Sequence, residues 1–114
     1  MKLRELAELV NGNVVCCQHK LDSEIEYAFA SDLMSDVLTV RVDKLLLITG
    51  LANMQAVRTA EMADIQAIIF VRNKTVSEDI INLAEDNGIV LIESPFTMFR
   101  ASGLLFGEGV KPVY

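Results

Sequence analysis

Leu45-Leu46-Leu47-Ile48-Thr49-Gly50 is the stretch that decides how this chain folds. Its first four positions are apolar without a break, as in a strand covered on both faces, and a glycine closes it. Two stretches of the same kind follow, Ala67-Ile68-Ile69-Phe70-Val71 and Ile89-Val90-Leu91-Ile92. The segments between them have the length and spacing of helices. Residues 52–63 carry Met54, Val57, Met62 and several alanines, and Thr75-Val76-Ser77-Glu78 reads as a capping box opening a second helix. Val76, Ile80, Leu83 and Ala84 are the buried stripe of that helix, which Asn87-Gly88 stops. Apolar strands alternating with capped helices predict right-handed β-α-β crossovers, hence an α/β fold built on a mainly parallel sheet with flanking helices.

On either side of this unit the signals are shorter. Leu3, Leu6, Ala7 and Val10 recur at helical spacing before Asn11-Gly12, which predicts a helix over 2–10. Asn13 to Cys17 and the alternating Ile25, Tyr27 and Phe29 read as two short strands at the N-terminal edge of the sheet, with an antiparallel edge among them. Ser31 is placed to cap a helical turn with Asp32 near its positive end. Ser94-Pro95 reads as a cap with proline at the first helical position, so a last helix is expected over 95–105, followed by an irregular tail.

Composition narrows the class of function. At 114 residues the chain fits one domain, 1–114, and it holds 10 basic against 16 acidic side chains, a net charge of −6. No cluster of Lys and Arg supplies the attraction that dominates nucleic-acid binding, so a DNA or RNA partner is not expected. No apolar run approaches the roughly 18 residues of a membrane span, and Met1-Lys2-Leu3-Arg4-Glu5 is too charged for a signal peptide, so the expected place is the cytoplasm. Adjacent Cys16 and Cys17 would point to opposite faces of a strand. With a single histidine, His19, in Cys-Cys-x-His, they fall short of a closed zinc set, and neither a metal nor a cofactor is expected.

The candidate site is the edge formed by the turns after the apolar strands, where open α/β sheets place their ligands. Thr49, Gly50 and Asn53 lie in the first such turn, and Arg72 and Asn73 lie beside it in the second. Gly50 would let a ligand approach the backbone, Asn53 offers an amide, and Arg72 suits a phosphate or carboxylate. Glu93 and Ser94 follow the third strand at the same edge. One glycine, without Gly-Lys-Ser or Gly-Lys-Thr, is not a phosphate-loop fingerprint. No nucleophile elbow or placed base is found, so no catalytic residue is expected. In the last helix Phe96, Met98, Phe99, Leu104, Leu105 and Phe106 exceed what one face can bury, which points to an interface.

From Asp32 to Phe106 the order is a short helix, the Leu45–Thr49 strand ending in Gly50, a helix with Gln55, the Ala67-Ile68-Ile69 strand, the Asn82-Leu83-Ala84-Glu85 helix and the Gly88-Ile89-Val90-Leu91-Ile92 strand. This order resembles the DRTGG domain, a module found alone, beside CBS domains and within phosphotransacetylases. It is also similar to the N-terminal domain of HPr kinase/phosphorylase. Leu51-Ala52 stands where the family's charged pair is expected, so no charged-ligand role carries over to those positions. The resemblance implies a regulatory domain without catalytic residues, often dimeric, sensing nucleotides or metabolites or serving a larger enzyme. For stand-alone copies it points to hydrogenase systems. Two readings follow: a homodimeric regulatory module with an anionic effector or an enzyme partner, and a small α/β enzyme or phosphate-transfer accessory using the Gly50 edge.

Overall fold

A computed structural model describes all of residues 1–114. In chain order the elements are α1 (Leu3–Leu9), β1 (Asn13–Cys16), a 3-10 turn (Gln18–Lys20), β2 (Tyr27–Ala30), α2 (Met34–Val37), β3 (Leu45–Thr49), α3 (Met54–Met62), β4 (Ala67–Phe70), α4 (Glu78–Asn87), β5 (Val90–Glu93), α5 (Met98–Gly107) and β6 (Lys111–Pro112). They build one six-stranded sheet in the order β1-β5-β4-β3-β2-β6. The three apolar strands pair in parallel as expected, Leu47 opposite Ile68 and Ile68 opposite Leu91. Every residue of β3 and β4 is buried, which is why their sequences show no alternation.

The two N-terminal strands separate to opposite sides of this core. β1 is the antiparallel edge beside β5, with an irregular register between Val14 and Cys16. β2 lies parallel to β3, and the tail, expected to be irregular, adds β6 in parallel beyond β2. Stepping from β2 to β5 always in one direction, right-handed crossovers put their helices on one face, where α3 touches both α2 and α4. The return from β5 to β6 runs the other way, so α5 crosses the opposite face, over β3 and against α1.

Helix starts differ from the sequence expectation in three places, each because a hydroxyl or carboxylate found another partner. Ser31 Oγ accepts from the Leu33 amide in a tight turn, and α2 opens after Leu33 with no side-chain cap. The Thr75–Glu78 box does not form: α4 opens at Glu78 after Ser77, and the Val76 amide donates instead to Glu93 Oε2 at 2.9 Å. The last helix starts after Thr97, whose hydroxyl accepts from the Arg100 amide, while Ser94 Oγ accepts from the Phe96 amide in a short turn and donates to the buried Val10 carbonyl at 2.7 Å. That bond ties the end of α1 to the end of β5.

Candidate functional site

The C-terminal ends of β3 and β4 bring Thr49, Gly50 and Asn53 beside Arg72 and Asn73. Thr49 is fully buried, and its hydroxyl donates to Asp32 Oδ1 at 2.9 Å while accepting from the Leu51 amide at 3.1 Å. The Gly50 amide donates to the same Asp32 oxygen at 2.7 Å. Asp32 is therefore the acid that closes the Gly50 turn rather than a helix-end charge. Sequence reasoning missed that role, although an acid following the strand parallel to β3 was a usable signal. Asn53 is the cap of α3, its Oδ1 accepting from the Ala56 amide at 3.1 Å.

Arg72 and Asn73 both take left-handed backbone conformations, with φ of 63° and 59°. Their amides donate to Phe96 O at 2.7 Å and Ser94 O at 3.0 Å, so the turn after β4 is fastened to the turn after β5. The Arg72 guanidinium stands against Gly50: a Cβ at position 50 would be 2.6 Å from Nη2 and 3.0 Å from Nε. It joins none of the three ion pairs of the fold, which link Met1 to Glu24, Arg4 to Asp22 and Lys111 to Glu26. Arg72, Asn73 and Lys74 are exposed, whereas Thr49 and Gly50 are buried beneath. The edge thus presents one unpaired cation over a glycine, with no base placed against a nucleophile. No cavity is lined by Thr49, Gly50, Asn53, Arg72 or Asn73.

The largest apolar concavity lies between α5 and the β2–β6 end of the sheet. This groove of about 330 Å³ has a floor of Ala28, Ala30 and Ile48, and Phe99 and Phe106 form its walls. Phe99 is 88% exposed and Phe106 69%. Both stand on α5 where the sequence placed more apolar side chains than one face could bury. Ser102 Oγ lines the groove without a hydrogen-bond partner.

A third cluster sits at the opposite sheet edge. Cys17 adopts a left-handed conformation (φ 60°, ψ 42°), so the adjacent thiols do not diverge as they would on a regular strand. Their sulfurs lie 3.3 Å apart. Cys16 Sγ donates to Ile89 O at 3.2 Å, and Glu85 Oε2 accepts from the Cys17 amide at 3.1 Å and lies 3.7 Å from Cys17 Sγ. Burial pushes the Cys16 thiol far above its ordinary range, and the Cys17 hydrogen bond and the Glu85 carboxylate add to this. Burial also raises Cys17. Glu85 is held low by the Cys16 thiol and the Cys17 amide.

Together these features define a mainly parallel α/β module with a cationic turn at one edge and an apolar groove on one face. The chain belongs to the DRTGG domain family, which its sequence matches over residues 5–106. The match reaches back into α1, beyond the stretch from Asp32 that carried the resemblance. Among solved structures, the fold is similar to the CBS and DRTGG domains of the regulatory region of Clostridium perfringens pyrophosphatase, determined with its activator diadenosine tetraphosphate. The TM-score is 0.73 at 16% identity, over 91% of this chain and 45% of that one, so the chain spans under half of that regulatory region. No curated protein sequence matches this chain. No helix of this chain is long and apolar enough to cross a membrane.

Proposed function

We propose that this chain is a non-catalytic regulatory module that pairs with a second copy through the α5 face and takes an anionic effector of nucleotide type at the Gly50 edge. The observation that carries the pairing is the exposure of Phe99 and Phe106 around the α5 groove. A two-fold interface sets a surface against itself, so it needs a projecting group and a receiving hollow on one patch. Phe99 and the groove beside it are such a pair. With a net charge of −6, two copies repel at long range, and the apolar face is where contact costs least.

The effector reading rests on Arg72, an exposed guanidinium over Gly50 that joins no ion pair. The similar regulatory region crystallised with a nucleotide activator makes adenine nucleotides the first compounds to try. A larger enzyme, a hydrogenase among the candidates, would receive the signal. Catalysis at the Gly50 edge is the weaker reading, because His19 follows β1 at the far edge of the sheet and the hydroxyls of Thr49 and Ser94 are bonded within the fold.

Sedimentation equilibrium at micromolar concentration tests the pairing. Twice the chain mass is expected for the wild type and the chain mass for Phe99→Glu, which places a charge in the groove of the facing copy. A wild-type monomer, or a dimer unmoved by Phe99→Glu, removes the α5 interface.

A further inference from the structure

The geometry points to a cation site at the sheet edge opposite Gly50: Cys16 Sγ, Cys17 Sγ and Glu85 Oε2 form a three-donor set for a thiophilic divalent ion such as zinc. These three atoms all lie within 4.8 Å of one another. In a tetrahedral zinc site with metal–sulfur bonds of about 2.3 Å, two sulfurs stand about 3.8 Å apart. The sulfurs here are 3.3 Å apart, the carboxylate oxygen is 3.7 Å from Cys17 Sγ and no pair exceeds 4.8 Å, so an ion draws the sulfurs slightly apart and the carboxylate inward.

Local structure builds this arrangement against the ordinary alternation of a strand. The register irregularity between Val14 and Cys16 and the left-handed Cys17 turn two adjacent side chains to one side. A left-handed non-glycine residue costs about 1–2 kcal/mol, so the turn is held by what surrounds it. Part of what holds it is the Cys17 amide bond to Glu85, which also fixes the carboxylate beside the sulfurs. Two soft sulfurs and one carboxylate suit a borderline ion better than calcium or magnesium, which take oxygen alone.

Both thiols are buried and Glu85 is exposed, so the ion enters from the carboxylate side and water fills the fourth position. As each sulfur–metal bond forms, its S–H bond breaks and the proton passes to solvent, with no change in the oxidation state of sulfur. Lys20, whose Nζ donates to Gly88 O at 3.1 Å, adds a positive charge nearby. A disulfide fits the pair less well. Adjacent Cα atoms are about 3.8 Å apart, short of the roughly 4.4 Å that an unstrained bridge requires.

Titration of the reduced chain with Cd²⁺, kept in a phosphine reductant, tests the site through the sulfur-to-cadmium charge-transfer absorption in the ultraviolet. Zinc affinity is read by competition with a chromophoric chelator. One ion per chain is expected, with the band lost in Cys16→Ser and Cys17→Ser and zinc affinity lowered roughly tenfold or more in Glu85→Gln. Where a serine variant does not fold, Glu85→Gln and the protection of wild-type thiols from maleimide by Zn²⁺ carry the test. No band in the re-reduced wild type, zinc affinity equal in wild type and Glu85→Gln, or thiols alkylated as fast with Zn²⁺ as without, overturns the proposal.

Discussion

The two edges of this sheet use their polar groups in opposite ways. At the C-terminal edge, where parallel sheets usually hold ligands, most polar atoms serve the fold. Asp32 holds Thr49 and Gly50, Asn53 caps α3, Glu93 holds the Val76 amide, and Ser94 holds Val10. Only Arg72 and its exposed neighbours are left over. At the N-terminal edge two buried thiols and a carboxylate converge, although nothing in the topology of a parallel sheet requires chemistry there. Topology says where a site is easy to build, and the side-chain bonds say whether the place is already taken.

The largest effect expected from this contrast is at Asp32. Asp32→Ala removes the acceptor of both the Thr49 hydroxyl and the Gly50 amide, two buried donors that then lack their partner. A cost of about 2 kcal/mol follows, or a fall in melting temperature of roughly 8 °C for a domain of this size. Asp32→Asn keeps one acceptor oxygen and should recover about half. Equal melting temperatures for wild type and Asp32→Ala would show that the edge does not depend on this acid, and the contrast between the edges would fail.

A smaller effect comes from the thiols and appears only with pH. Burial raises both thiols above their unfolded value of about 8.5, so the folded state holds these protons more tightly than the unfolded chain. The stability they contribute is complete below about pH 8.5 and is lost as the pH rises above it. Glu85 has the opposite sign. Its folded value is lowered, so its contribution is present above about pH 4.3 and is lost as the pH falls through the folded value. Urea midpoints from pH 7 to pH 10 in the presence of a chelator should decline in the wild type and less steeply in Cys16→Ala. Parallel curves would assign the alkaline loss to other groups.

How much of this could be read from the chain depended on the range of the interaction concerned. β3, β4 and β5 were legible because strands buried on both faces run apolar up to their C-terminal residue, and their parallel pairing followed from the helices between them. β6 was not legible: two residues, one of them proline, count as a strand only because β2 offers a free edge. The caps at Ser31, Thr75 and Ser94 were misread because a local hydrogen bond does not by itself start a helix. The hydroxyls of Ser31 and Ser94 do accept local amides, those of Leu33 and Phe96, but each closes a turn two residues long, and the Val76 amide goes to Glu93. Of the residues expected at the Gly50 edge, Arg72 stands against Gly50, while Asn53 caps α3 and the Asn73 amide is fastened to Ser94 O, and Asp32 behind Thr49 and Gly50 was read as a helix-end charge. Cys16 and Cys17 were seen as a pair and Glu85 was not, because 68 residues separate it from Cys17 and strand alternation predicts divergent thiols.

The smallest effect on stability is expected at Arg72, and that makes it the sharpest probe of function. Its guanidinium is exposed and in no ion pair, so Arg72→Ala should change stability by no more than about 0.5 kcal/mol. Gly50→Ala should also be mild, since the atom its new Cβ meets is the tip of a flexible side chain, which can swing away. The two variants differ in what they do to the cation: one removes it and the other displaces it from the glycine. A ligand at a hundred times its Kd adds about 2.7 kcal/mol, roughly 10 °C here, far above either background. Adenine nucleotides, diadenosine tetraphosphate included, should raise the melting temperature of the wild type, raise it less in Gly50→Ala, and leave Arg72→Ala unmoved. A compound that shifts all three equally binds elsewhere, and a loss above 1 kcal/mol in unliganded Arg72→Ala would make the guanidinium one more structural group at an edge already closed by its own side chains.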